Sequence, residues 1–153
     1  MTLKAAALHD YGQPMTVEEI DIDDPKPIEV QIRTHFAGIN FSEIMARMGL
    51  YPGSPKPPGC LGNEFSGEII EIGSEVKNFK VGDQVMGGAP FKSYSSHINV
   101  SEQLIMSVPK NFNMKQAAAF SVVYITAHMM IFDLGNLKKD EYFFIDAIPI
   151  FPV

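Results

Sequence analysis

A chain of 153 residues, 46% apolar and 20% charged, can bury about two-thirds of its unfolded surface, enough for one ordinary domain but not for a second complete one. A formal net charge of −6, with 12 scattered Lys and Arg residues, excludes the basic footprint that nucleic acid or an anionic membrane surface requires. Lys4, His9, Asp10, Glu18 and Glu19 interrupt the opening segment, so no secretory signal is expected and the cytosol is the expected compartment. The single cysteine, Cys60, rules out an internal disulfide or a four-thiolate zinc site and is expected to be a half-buried loop residue without a role.

From Leu3 to about Ser107 the predicted elements are strands, in the runs LKAAAL, MTVEEI, IEVQIRTHF, EFSGEIIEIG, DQVMGG, SYSSHINV and QLIMSV. In IEVQIRTHF, Ile28, Val30, Ile32, Thr34 and Phe36 alternate with more polar neighbours, which predicts a strand with those five on one buried face. GLYPGSPKPPGCLG then places four Gly and four Pro between Gly49 and Gly62. That density permits neither a helix nor a central strand, so the segment is a loop that either lines a site or only crosses between elements. In GSEVKNFKVGDQV, Gly73 and Gly82 permit turns while Val76, Phe79, Val81 and Val85 are expected to point inward. Short strands at this spacing predict a partly open barrel or a sandwich.

The periodicity changes after Pro109. NMKQAAAFSVVYITAHMMIFDLGN opens with Asn113 as N-cap and Gln116 reaching back, and ends at Gly135 and Asn136, which predicts one long helix or two short ones. Its apolar core, Ala117 to Ile131, is too short to span a membrane and contains Ser121, Thr126 and His128. Being apolar on most of its circumference, the helix requires a cover. The chain then closes on YFFIDAIPIFPV, which begins like a buried strand and acquires two prolines.

His9, His35, His97 and His128 show no metal-ligand spacing, and neither a GxSxG elbow nor a phosphate-binding GxxxxGK[ST] loop is present. The most chemically suggestive stretch is AGINFSEIMARMGLYPG, with Asn40, Ser42, Glu43 and Tyr51 around a strand-to-helix transition. The Asn40 carboxamide and the Tyr51 phenol suit the orientation of a carbonyl or an amide; equally, Asn40 caps a helix from Phe41 and Tyr51 packs.

AGINFSEIMARMGLY, PGCLGNEFSGEIIEIGSEV and FKVGDQVMG, followed by YITAHMMIFDLGNLKKDE, stand in an order and spacing that resemble the medium-chain dehydrogenase/reductase superfamily from about Leu3 to Ile145. The zinc alcohol dehydrogenases of that superfamily carry cysteine where this chain has Asn40 and histidine where it has Asn63. A carboxamide is a poor substitute for either ligand, so the resemblance is to the zinc-independent quinone oxidoreductase branch, and NFSEIMARMGLY is most similar to its vesicle amine transport protein subgroup.

The resemblance implies a mainly β, α+β, GroES-like partial barrel over residues 1–112, and over 113–153 a helical connection ending in the first strand of a Rossmann domain. It implies NADPH-dependent reduction of a small quinone or enone, with Asn40 and Tyr51 at nicotinamide and substrate, Thr126 at the cofactor and no metal. Met45 stands where some members have a second active-site tyrosine, and Val123 where the family has an asparagine, and both changes remove hydrogen-bonding groups. YFFID aligns with the first Rossmann strand, but AIPIFPV replaces the glycine loop that cradles the pyrophosphate. A truncated chain with weak or no turnover alone is therefore expected. Its exposed apolar helix would favour self-association or association with a full-length relative as a non-catalytic module; a fragment without function is the remaining reading. Cytoplasmic location, with the peripheral membrane association of some relatives, completes what the resemblance implies.

Overall fold

The computed structural model describes residues 2–144, which divide into two compact units, one ending at Val123 and one beginning at Tyr124. The first unit is built from two antiparallel sheets. In the smaller, β1 (Lys4–Leu8) lies between β2 (Thr16–Glu19) and the two-residue β4 (Gly59–Cys60). The larger has the order β7-β3-β5-β6-β8, formed by β3 (Glu29–Ala37), β5 (Glu64–Ile72), β6 (Gln84–Gly88), β7 (His97–Ser101) and β8 (Ile105–Ser107). Strands dominate and helices are few, as the expected mainly β fold requires.

Register places the apolar residues of neighbouring strands opposite one another. Ile32 lies opposite Ile69 on β5 and Ile98 on β7, and these three join Val30, Phe65, Val85, Val100 and Ile105 in one core. Val76 and Phe79 pack against that core as anticipated, whereas Val81 is 56% exposed. Removing Phe65 or Ile69 from this core would cost about 2–5 kcal/mol in lost transfer and cavity energy.

The alternation expected along β3 holds only at its centre. Val30 and Ile32 are fully buried, but Ile28 and Phe36 are exposed. The pairing of β3 with β5 shifts between Gln31 and Ile32 and again between Thr34 and Phe36, and each such irregularity breaks the period of two. Phe36 instead lies under the Lys115 ammonium, 5.7 Å from its ring centroid. Gln31, on the face expected to be polar, is buried because its amide donates to Asn99 Oδ1 and the Asp23 carbonyl.

The Gly/Pro segment is a loop apart from the short β4, with Gly49, Gly53 and Gly62 all at positive φ. After β8, Asn113 caps α2 (Met114–Ala118): its side chain accepts from Gln116 N–H at 2.9 Å and Gln116 returns the bond at 3.0 Å. The helical region is two helices, α2 and α3 (Ser121–His128). α2 packs on β3, β5 and β6, and the Ser66 hydroxyl on β5 donates to the Met114 carbonyl.

In the second unit the end of α3 passes into a π-helical segment, Met129–Leu134, closed by Gly135 N–H on the Met130 carbonyl at 2.9 Å. Asn136, rather than the glycine, takes the left-handed conformation, φ 48°, one that asparagine tolerates. Tyr124, Ile125, Met129, Met130, Phe132 and Leu134 are all at least half exposed or close to it. Tyr142–Phe144 has no regular secondary structure; the rest of the expected Rossmann strand and the AIPIFPV tail lie outside the described residues. Among the described residues no helix is long and apolar enough to cross a membrane.

Candidate functional site

Where β3 ends, the chain turns through Gly38 and Ile39 into α1 (Phe41–Arg47), and Asn40 is its N-cap in an extended conformation. Glu43, three residues on, reaches back to Asn40 N–H at 2.8 Å, while Glu43 N–H is held by the Asn40 main-chain carbonyl at 3.2 Å. The Asn40 side chain faces Glu43 N–H in return, the reciprocal arrangement that satisfies the orphan donors of a helix start. Glu43 is only 3% exposed. It also accepts from Asn63 N–H at 3.0 Å and from the Ser42 hydroxyl at 3.2 Å, so one carboxylate ties α1 to the segment entering β5.

The Asn40 side chain turns to a second buried carboxylate, that of Glu64 at the start of β5, which is 1% exposed. Asn40 Nδ2 donates to Glu64 Oε1 at 2.9 Å, and Val122 N–H in the first turn of α3 donates to Glu64 Oε2 at 2.8 Å. Gly38 makes room: a Cβ there would overlap the Glu64 carboxyl group. Asn63 Nδ2 donates to the Ser42 hydroxyl at 3.3 Å, closing the network.

Tyr94 adjoins both carboxylates. Burial first, and then the charges of Glu43 and Glu64, push its phenol well above the usual tyrosine range. Its hydroxyl is buried and makes no hydrogen bond among the described residues, as is also true of the Ser93 and Ser121 hydroxyls. Such groups are costly unless water or a ligand meets them. Cys60, half-buried nearby in β4, is pushed up to about 11 by burial, against the lowering effects of the Tyr94 main-chain contact and Lys92. It is a protonated thiol at neutral pH rather than a nucleophile.

Of the residues singled out in the sequence, Asn40 and Asn63 stand together in this network, as do Ser42 and Glu43. Tyr51 lies in the Gly/Pro loop beyond the other end of α1, 41% exposed, so that the length of α1, about 10 Å, separates it from the Asn40 position along the helix. Thr126 is exposed on α3 in the second unit. Met45 is half-buried on α1 and Val123 is exposed. Both positions expected to lack metal ligands carry carboxamides with their nitrogens already engaged, and among the described residues no three His, Cys, Asp or Glu side chains could hold a metal. Glu64 was not identified from the sequence, although it holds the network together.

The two-sheet unit with a buried polar junction between β3, α1, β5 and the first turn of α3 is that of a GroES-like domain. The sequence profile of the alcohol dehydrogenase GroES-like domain matches residues 26–110, and the chain belongs to that family. It is 31% identical over 144 residues to quinone oxidoreductase-like protein 2 of Mus musculus, covering 94% of this chain and 41% of that protein. With the synaptic vesicle membrane protein VAT-1 homolog of Danio rerio it shares 36% identity over 144 residues, covering 92% of this chain and 30% of the relative. The crystal structure of Escherichia coli quinone oxidoreductase complexed with NADPH superposes with a TM-score of 0.78 at 30% identity, over 84% of this chain and 40% of that one. The chain thus spans less than half the length of these relatives.

Proposed function

We propose that this chain is the catalytic-domain portion of an NADPH-dependent, zinc-independent oxidoreductase that reduces a small quinone or enone. The observation that carries the reading is the Asn40 carboxamide fixed by a buried carboxylate at the β3–α1 junction. On this reading residues 1–112 are the catalytic domain and 113–153 the connection to a nucleotide-binding domain.

Of the residues present, Asn40 offers a held amide that fits the nicotinamide end of the cofactor, and Tyr51, beyond the other end of α1, offers a flat phenol. When bound, the cofactor would supply a hydride. The chain's own part is to orient a carbonyl or amide at Asn40, with Tyr51 and Thr126 as its further contacts to substrate and cofactor. Positioning and electrostatics then carry the catalysis without a Lewis acid. No glycine follows Gly135 in the sequence, so the glycine loop that would cradle the pyrophosphate is not among these residues, which supports weak or absent turnover by them alone.

Mapping of nicotinamide mononucleotide binding by amide chemical shifts tests this reading. Shifts concentrated at Asn40 and Tyr51 are expected, and shifts confined to other surfaces would contradict it.

A second reading, an interaction module that binds a full-length relative, is favoured by one observation: the apolar side chains of Tyr124–Leu134 stand exposed. Co-purification with such a relative, lost on replacing Phe132 and Leu134 by Ser, is its expected signature; consistent absence of a relative from the purified material would count against it.

A further inference from the structure

Glu64 does more than fill its site. A carboxamide has a donor end and an acceptor end of nearly equal size, and which of them a ligand meets depends on what holds the other. At Asn40 the choice is made from below, since Nδ2 donates to Glu64 Oε1 at 2.9 Å. Glu64 cannot rotate away, because its other oxygen holds Val122 N–H at 2.8 Å and the residue is 1% exposed, with Gly38 packed against its carboxyl group. Glu43 N–H bonds the main-chain carbonyl of Asn40 and faces its side chain in the capping box, and Oδ1, with two lone pairs, still has one for a ligand.

We propose that Glu64 is a positioning residue: anchored on the first turn of α3, it commits the nitrogen of the Asn40 side chain and leaves the oxygen as the group a ligand meets. The ligand at this point is then one that donates an N–H, as a primary carboxamide does. This deepens, and rests on, the nicotinamide reading of the site. The position of the first turn of α3 is also transmitted to Asn40 through a single carboxylate.

The isosteric change Glu64→Gln tests it. The introduced carboxamide keeps an oxygen for Val122 N–H and must then turn its own NH2 toward Asn40. The Asn40 amide has to flip, and the group it offers becomes a donor. In 15N-labelled protein, the two Asn40 side-chain protons, assigned with Asn40→Ser, are expected to be separate and protected in the wild type and to move strongly in E64Q. Nicotinamide and methyl nicotinate, which differ in whether the substituent donates, then read the polarity. The wild type is expected to prefer nicotinamide by about tenfold and E64Q to lose or reverse that preference, since mismatching one buried hydrogen bond has about that effect.

Asn40 side-chain resonances indifferent to E64Q would overturn the positioning role. If those resonances move but neither probe perturbs Asn40 in either protein, the positioning role stands and the nicotinamide reading falls. If E64Q does not fold, the wild type alone decides: rapidly exchanging, averaged Asn40 amide protons would refute the fixed orientation.

Discussion

Replacing Glu43 should be among the most damaging single changes in the first unit, and its cost can be worked from three bonds. The buried carboxylate accepts from Asn40 N–H at 2.8 Å, Asn63 N–H at 3.0 Å and the Ser42 hydroxyl at 3.2 Å. Glu43→Ala leaves two main-chain donors without an acceptor. A buried orphan costs about 1–3 kcal/mol, and partial entry of water at the half-buried Asn40 and Asn63 keeps the sum to about 2–5 kcal/mol. The Ser42 hydroxyl can rotate to another partner and adds little. Glu43→Gln retains one acceptor oxygen but sets an NH2 against one of the N–H groups, so it should cost about half as much. Urea unfolding of both variants, followed by circular dichroism because the chain has no tryptophan, reads this as a fall in midpoint with little change in slope. If E43A stays within about 1 kcal/mol of the wild type, or E43Q is the more harmful of the two, the account of the junction is wrong.

Three further expectations follow from individual groups. Burial, and secondly the Arg33 charge, hold the His97 imidazole below its ordinary value. The unfolded chain therefore takes up the proton more readily, and stability should fall as pH drops below about 6.5 and level off once pH is below the folded value; His97→Gln should flatten that slope in unfolding midpoints between pH 5 and 8. The Cys60 thiol, pushed up to about 11, should react slowly with iodoacetamide at pH 8 and keep accelerating toward pH 11, and a plateau near pH 9 would contradict its burial. Gly53 sits at φ 75° in open space, whereas a Cβ at Gly73 would lie 2.5 Å from the Pro27 carbonyl oxygen. Gly53→Ala should then cost about 1 kcal/mol and Gly73→Ala clearly more, in the same urea assay.

The strands, the Gly/Pro loop and the paired caps of α2 were legible because each is set by residues close in sequence. Asn113 and Gln116 announce their reciprocal bonds three positions apart, and no distant contact competes with them. The limits of the β3 alternation and the exposure of Val81 were not legible, because a bulge is decided by the partner strand and a turn valine by whether anything covers it.

Glu64 illustrates the same limit at the site. Along β5, Glu64, Ser66 and Glu68 share one face in period-two reading and look like a solvated stripe. Only tertiary structure shows that α2 and the first turn of α3 cover the Glu64 and Ser66 end of that stripe, while Glu68 remains at the surface paired with Arg33 at 2.9 Å. Asn40 was found because it stands at a strand-to-helix transition, where a cap is expected. Its partner, 24 residues on, carried no local signal beyond a glutamate beginning an apolar strand.

The central proposal, that the chain carries the nicotinamide end of an oxidoreductase site and that its sequence lacks the glycine loop for a pyrophosphate, is tested most directly by calorimetric titration of mass-verified residues 1–153 with NADPH, with quinone-dependent NADPH oxidation followed in the same sample. The account predicts a folded protein with no saturable binding at micromolar NADPH and little or no oxidation. Stoichiometric micromolar binding with turnover would contradict it, because the dinucleotide would then be held by residues to which this account gives no such role.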